Sequence, residues 1–168
     1  TSSEKLTGTN QKKAKLPRLS NDMNTQDTTL LRGHADANAL RIKHHSPDLH
    51  RKNSPLDLTA QTAFEALEKA RYEALGSYQM KGVASNLNAT LAEHIKSMNV
   101  AAMKDIDDYS LGDALYIMGR VALTGETPPK EADKIISLWT PWLEEKLGPK
   151  GLCALRPVLD NQEEFSRL

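Results

Sequence analysis

The chain has 168 residues, its 22 Lys and Arg are matched by 22 Asp and Glu, and it carries a single cysteine. That length supports one domain with a core of its own, and the cancelled charge excludes a global field drawing the protein to nucleic acid or to an anionic membrane. Charge interrupts every apolar stretch too soon for a spanning helix, no secretory signal opens the chain, and Cys153 lacks a partner for a disulfide or a thiolate metal cage, so a cytoplasmic protein is expected.

Residues 1–29 are Ser, Thr, Asn, Asp and Lys with hardly a large apolar side chain, too little burial to offset the entropy of ordering. They read as a flexible tail. Its Lys5, Lys12, Lys13, Lys15 and Arg18 are suited to touching phosphate, yet no aromatic residue is interleaved for base stacking, so a solvated linker is the expectation. A helical domain is expected over 30–168. Leu30 to His45 forms its first helix, stopped by Pro47.

Ser54-Pro55-Leu56-Asp57 opens a stronger helix: Ser54 suits the cap, Pro55 the first helical position and Asp57 the positive end of the dipole. Ala60, Phe64, Leu67, the stem of Arg71 and Ala74 or Leu75 then recur at helical spacing on one face. Gly76 and Gly82 leave two readings open. Either Gly76 ends this helix in a left-handed conformation, or both glycines lie within helix where a neighbouring backbone comes too close for a side chain. Val83, Leu87, Leu91 and Ile95 continue as a second stripe.

Ser110 caps the next helix with Asp113 at its third position, Leu111, Leu115, Met118, Val121 and Ala122 face inward, and Thr124-Gly125 ends it. Thr127-Pro128-Pro129 starts another, with Ile135, Leu138, Trp139, Trp142 and Leu143 as the densest apolar face and Gly148-Pro149 as its close. Pro141 predicts a kink there or two short helices. The tryptophans belong to the core, Trp142 before Trp139. Leu152 to Leu168 adds a last helix through Leu155, Val158, Leu159 and Phe165. No stretch shows sustained β-branched alternation, so the fold class is all-α, a compact bundle of about five to seven helices.

His44, His45 and His50 cluster with Asp48, the chemistry of divalent metal binding. Adjacent helical side chains diverge by about 100°, however, so solvent-facing histidines around a Pro47 turn are the expectation, with no metal ligand assigned. His34 and His94 stand alone and read the same way. Asp108-Tyr109-Ser110-Leu111-Gly112 resembles the start of the D-x-S-x-S turn of integrin-like domains, but Gly112 replaces the second hydroxyl and helix capping accounts for the residues. The phosphate-loop pattern is absent, and no local sequence joins Cys153 to a histidine as nucleophile and base, so Cys153 reads as a small buried apolar residue and no catalytic residue is assigned.

Three ordered stretches are similar to the N-terminal part of the CobT subunit of the aerobic, ATP-dependent cobaltochelatase. They are Ala35-Asp36-Ala37-Asn38-Ala39-Leu40-Arg41 running into His44-His45-Ser46-Pro47-Asp48-Leu49-His50; Ala70-Arg71-Tyr72-Glu73-Ala74-Leu75-Gly76 with Met80-Lys81-Gly82-Val83-Ala84-Ser85-Asn86-Leu87; and Leu123-Thr124-Gly125-Glu126-Thr127-Pro128-Pro129 with Leu138-Trp139 and Pro141-Trp142-Leu143-Glu144-Glu145-Lys146. The resemblance implies a subunit of the complex that inserts Co(II) into hydrogenobyrinic acid a,c-diamide during cobalamin biosynthesis, a ligase forming a nitrogen–metal bond. It implies an AAA+ ATPase subunit and a large corrinoid-binding subunit as partners, and neither nucleic acid nor membrane. ATP, Mg and the substrate metal Co(II) then belong to the complex, with no cofactor held by this chain. The family pattern continues into an acidic linker and an integrin-like domain, both expected to be absent here, so its metal site is carried onto no residue.

The implied role is non-catalytic assembly through protein contacts, the exposed members of Tyr72, Tyr78, Met80 and Trp139 being the partner-binding candidates because such side chains are enriched in interface cores. Helices around Ala70 to Leu87 and Leu138 to Leu147 are expected to build the bundle, the glycines letting another helix approach. A helical adaptor unrelated to metal insertion is the alternative.

Overall fold

The computed structural model describes residues 24–167, which contain seven α-helices, four 3-10 segments and no strand. The all-α expectation holds. Residues 1–23 of the expected tail, with its five basic side chains, lie outside the described residues. The remainder of that stretch is helical, because Asn24 and Asp27 close a reciprocal capping box, with Asp27 N donating to Asn24 Oδ1 at 2.9 Å and Asn24 N to Asp27 Oδ2 at 3.2 Å. Helix α1 (Thr25–His44) therefore starts five residues before Leu30.

Short helix α2 (Pro47–Asn53) occupies what reads in sequence as a turn: Ser46 caps it and Pro47 takes the first position, where its missing N–H is no loss. Ser54 does not cap the following helix. It lies at the C-terminal end of α2, and Asp57 caps α3 (Leu58–Gln79) by accepting from Ala60 N at 2.8 Å. Met80, extended at φ −144°, is the single residue between α3 and α4 (Lys81–Ser97). Two 3-10 turns, Val100–Ala102 and Ile106–Asp108, lead to α5 (Leu111–Thr124), capped by Ser110 as its sequence predicts and ended by Gly125 at φ +68°. The 3-10 turn Lys130–Ala132 follows Pro129 and delays α6 (Asp133–Leu147), which runs through Pro141 as one helix and stops at Gly148.

The expected last helix is instead a 3-10 segment, Gly151–Val158, followed by short α7 (Gln162–Phe165). Leu152 and Leu155 are buried three residues apart, the period of a 3-10 turn, and Pro157 denies an α-helix one donor. Cys153 points away from that buried row and is exposed, contrary to its reading as a core residue. The tryptophans also change places: Trp139 is buried and Trp142 half-buried, their rings meeting edge to face at 5.3 Å.

Helix α3 is the axis of the fold, with α5 on one flank and α1 and α4 on another; α6 joins through α5 and the C-terminal 3-10 segment. From Ala70 to Ser77 it is buried all the way round. The main core unites Ala66, Ala70 and Ala74 of α3 with Leu91, Ile95, Ile117, Leu123, Ile135 and the C-terminal leucines, and a smaller cluster gathers Leu40, Tyr72 and Leu87 between α1, α3 and α4.

Small residues set the helix separations. A Cβ on Gly119 would lie 3.1 Å from both the Ala70 Cβ and the Leu67 Cδ2, and one on Gly33 would lie 2.0 Å from Thr90 Oγ1 and 2.6 Å from the Asn86 carbonyl oxygen. Helix α5 thus packs on α3, and α1 on α4, too closely for a side chain at either glycine. Gly76 lies inside α3, where the Leu40 side chain takes the place of its Cβ at 2.3 Å, whereas a Cβ on Gly82 would meet open space. Close approach thus accounts for Gly76, through a side chain rather than a backbone, and not for Gly82. The glycine that meets a neighbouring backbone is Gly33.

Candidate functional site

A helix buried on every side must satisfy whatever charge it carries, and α3 carries three buried charges within six residues: Glu68, Arg71 and Glu73. Arg71, 1% exposed, grips Glu68 in a bidentate pair, Nε to Oε2 at 2.7 Å and Nη2 to Oε1 at 2.8 Å. Its remaining donors reach the carbonyls of Leu159 at 3.1 Å and His44 at 2.5 Å. His45 Nδ1 meets Glu68 Oε1 at 2.8 Å, and the Gln162 amide clasps Ser46 by accepting from its N–H at 2.7 Å and donating to its carbonyl at 3.1 Å. The end of α1, the start of α2 and the C-terminal segment are fastened to α3 at this point.

Glu73 anchors a second network toward α5. Its Oε2 accepts from the Tyr116 hydroxyl and from Arg120 Nη1, both at 2.8 Å; Arg120 Nη2 donates to Asn88 Oδ1 at 2.9 Å, and Asn88 Nδ2 to Glu126 Oε2 at 3.0 Å. Burial, then the neighbouring Glu73 charge, hold the Tyr116 phenol well above its ordinary range, so it stays a donor; Tyr72 is pushed up for the same two reasons.

Apolar periodicity singles out none of Glu68, Glu73 or Arg120, and includes Arg71 only for its stem. The signal available in sequence was position: Glu68 and Glu73 are interleaved with Ala66, Ala70 and Ala74, and Arg120 sits between Ile117 and Leu123 on a helix with an otherwise apolar centre. A charge at a core position implies a buried opposite charge.

His44, His45 and His50 are partly buried rather than facing solvent around a turn, whereas His34 and His94 are exposed as expected. His45 is held by Glu68, and the His50 ring lies 4.8 Å from that of His45 and 4.6 Å from Phe64. Burial is the largest cause lowering the pKa of both His44 and His50. Among the described residues no group of three or more His, Cys, Asp or Glu is placed to hold a metal ion. Asp108 accepts from the backbone N–H groups of Lys104 and Asp105, which hold its carboxyl below the usual range, and Ser110 caps α5, so both serve local backbone structure. His94 Nε2 contacts Asp113 at 2.9 Å.

Of the four partner-binding candidates, Tyr72 and Trp139 belong to the interior. Tyr78 and Met80 are 58% and 45% exposed, at the junction between α3 and α4, with Gln79, Lys81 and Gly82 exposed beside them. The Tyr78 hydroxyl donates to the Leu123 carbonyl at 2.5 Å, fixing the ring across the end of α5. An apolar aromatic and a thioether are thus presented on a rigid corner.

Two of the concavities among the described residues lie on either side of α3. An apolar groove of about 310 Å³ runs between Phe64, Leu67, Leu147, Leu152 and Phe165, and a polar cleft of about 230 Å³ opens between α1, α3, α4 and α5. No helix among the described residues is long and apolar enough to cross a membrane.

No solved structure matches the chain. The family model described as "Cobalamin biosynthesis protein CobT" matches residues 2–168, so with its helical architecture and its ordered sequence stretches the chain belongs to the CobT family.

Proposed function

We propose that this chain is a subunit of the ATP-dependent cobaltochelatase that inserts Co(II) into hydrogenobyrinic acid a,c-diamide, and that its helical domain acts by assembly rather than by bond-making. The observation that carries the reading is the family match over nearly the whole chain. Two features support the assembly role. The buried carboxylates Glu68 and Glu73 are engaged in internal pairs with Arg71 and Arg120, which makes α3 a stiff axis, and Tyr78 with Met80 offers apolar surface at a fixed corner of it. A rigid body gripped differently in two states of an ATPase ring transmits work through those differential contacts.

In this reading the AAA+ subunit binds ATP and Mg, the large subunit holds the corrinoid and the substrate cobalt, and the chain bridges them in the cytoplasm. Size-exclusion chromatography of the full chain with the AAA+ subunit, with and without ATP, is expected to show co-migration weakened by Tyr78→Ala and Met80→Ser. Separate elution in every nucleotide state would overturn the role.

A further inference from the structure

The polar cleft has an unbalanced charge. Four exposed basic side chains surround it, His34 and Arg41 from α1, Lys69 from α3 and His94 from α4, above an interior formed by the buried rings of Tyr72 and Tyr116 and by the Glu73 carboxylate. Glu73 is the acidic residue among the lining groups, and its charge is already taken by Arg120 at 2.8 Å. His94 is balanced by Asp113. Arg41 of α1 and Lys69 of α3 remain, two full positive charges lining one concave space.

Their placement is not that of loose surface cations. The Lys69 ammonium lies 3.8 Å from the centroid of the Tyr116 ring, held on its face by the ring's negative quadrupole, and Tyr116 is itself fixed through its hydroxyl to Glu73. Arg41 is near enough to Tyr72 to favour its phenolate, although burial outweighs that effect. At about 230 Å³ the space is large enough to admit a small oxyanion.

The geometry points to a binding site for a small doubly charged oxyanion in this cleft, with Arg41 and Lys69 contacting its oxygens and the imidazoles of His34 and His94 at its edge. Phosphate and dicarboxylate share that chemistry.

Isothermal titration of the full chain at low salt, separately with inorganic phosphate, pyrophosphate and succinate, tests it. At least one probe is expected to saturate a single site. Arg41→Gln and Lys69→Gln should each bind that probe about tenfold more weakly and the double variant not measurably, since each deletes a charge-assisted hydrogen bond. Both side chains are exposed, so each variant should stay folded; Arg41→Gln should melt as the parent does, and Lys69→Gln slightly lower for loss of its contact with the Tyr116 ring. Lys81→Gln, which removes an exposed cation outside the cleft, should bind as the parent does. Saturation by the phosphates alone or by succinate alone identifies the class of oxyanion. No saturation by any probe, or equal weakening in Lys81→Gln and Lys69→Gln, overturns the site.

Discussion

The two buried networks on α3 use the same ion pair to different ends. Around Glu68 and Arg71 the guanidinium spends its donors on a carboxylate and two main-chain carbonyls, one of them 88 residues away in sequence, and Gln162 closes on Ser46 across 116 residues. Around Glu73 the partners are side chains of the adjoining helices α4 and α5, and Arg120 Nε is left buried without a partner. The first network is a clasp that holds the α1–α2 junction and the C-terminal segment to the axis. The second is a brace within the bundle, and because Glu73 is the single carboxylate paired with Arg120, whereas Glu68 meets both Arg71 and His45, it is more sensitive to loss of either charge.

Deleting one charge from the brace should therefore have the largest effect. Glu73→Ala leaves Arg120 charged and uncompensated in the core, and urea unfolding is expected to register a loss of about 3–5 kcal/mol. The double change Glu73→Leu/Arg120→Met, which removes both charges and keeps apolar volume, should recover most of it; failure to recover would mean that the pair itself, not the orphaned charge, supplies the stability. Arg71→Met, in the clasp, is expected to cost about 3 kcal/mol, because His45 still faces Glu68. Hydrogen exchange separates the two regions: Arg71→Met should lose protection first in 44–53 and 151–165, whereas Glu73→Ala should lose it throughout α3, α4 and α5. Uniform loss in both variants would erase the distinction between clasp and brace.

Local chemistry made much of the fold legible. The cap at Ser110, the stop at Gly125 and the stripes of α4 and α6 each depend on residues within a turn or two of one another, so periodicity and capping rules reach them. What they did not reach depends on contacts distant in sequence. The C-terminal leucines settle into a 3-10 segment because they pack on a core built by earlier helices, whereas the cap at Asp57 rather than Ser54 is a local matter, Ser54 being taken up in closing α2. The exposed half of the partner-binding set, Tyr78 and Met80, follows from the one-residue break at Met80. The burial of Tyr72 follows from α1 and α4 closing over it, which no spacing around Tyr72 announces.

The same difference between local and distant causes ranks the glycines, at smaller magnitude. Gly33→Ala forces a methyl to within 2.6 Å of a backbone oxygen that α4 cannot readily withdraw, and overpacking of about 1–3 kcal/mol should outweigh the helix-propensity gain of roughly 1 kcal/mol. Gly82→Ala faces open space in the first turn of α4, and should raise stability by up to about 1 kcal/mol. Thermal melts of the two variants should move in opposite directions. A stabilised Gly33→Ala would show that α1 is free to lift from α4.

The weakest expected effect belongs to the clasp alone and concerns pH. His44 and His50 both have folded-state pKa values below their ordinary 6.5, chiefly because burial disfavours the imidazolium, and His44 Nε2 and His50 Nδ1 have no hydrogen-bond partner. The unfolded chain therefore binds protons more readily at these two sites than the native protein does. Their contribution to stability is intact above about pH 6.5 and is lost as pH falls through 6.5 toward the lower folded values. Melting temperature should decline over that window. His44→Asn/His50→Asn should flatten this decline while leaving the His45–Glu68 pair in place, and an unchanged slope would assign the pH dependence to other groups. The imidazole beside the brace, His94, is exposed and already paired with the Asp113 carboxylate, so hydrogen exchange should show the acid-induced opening in 44–53 before it reaches α5.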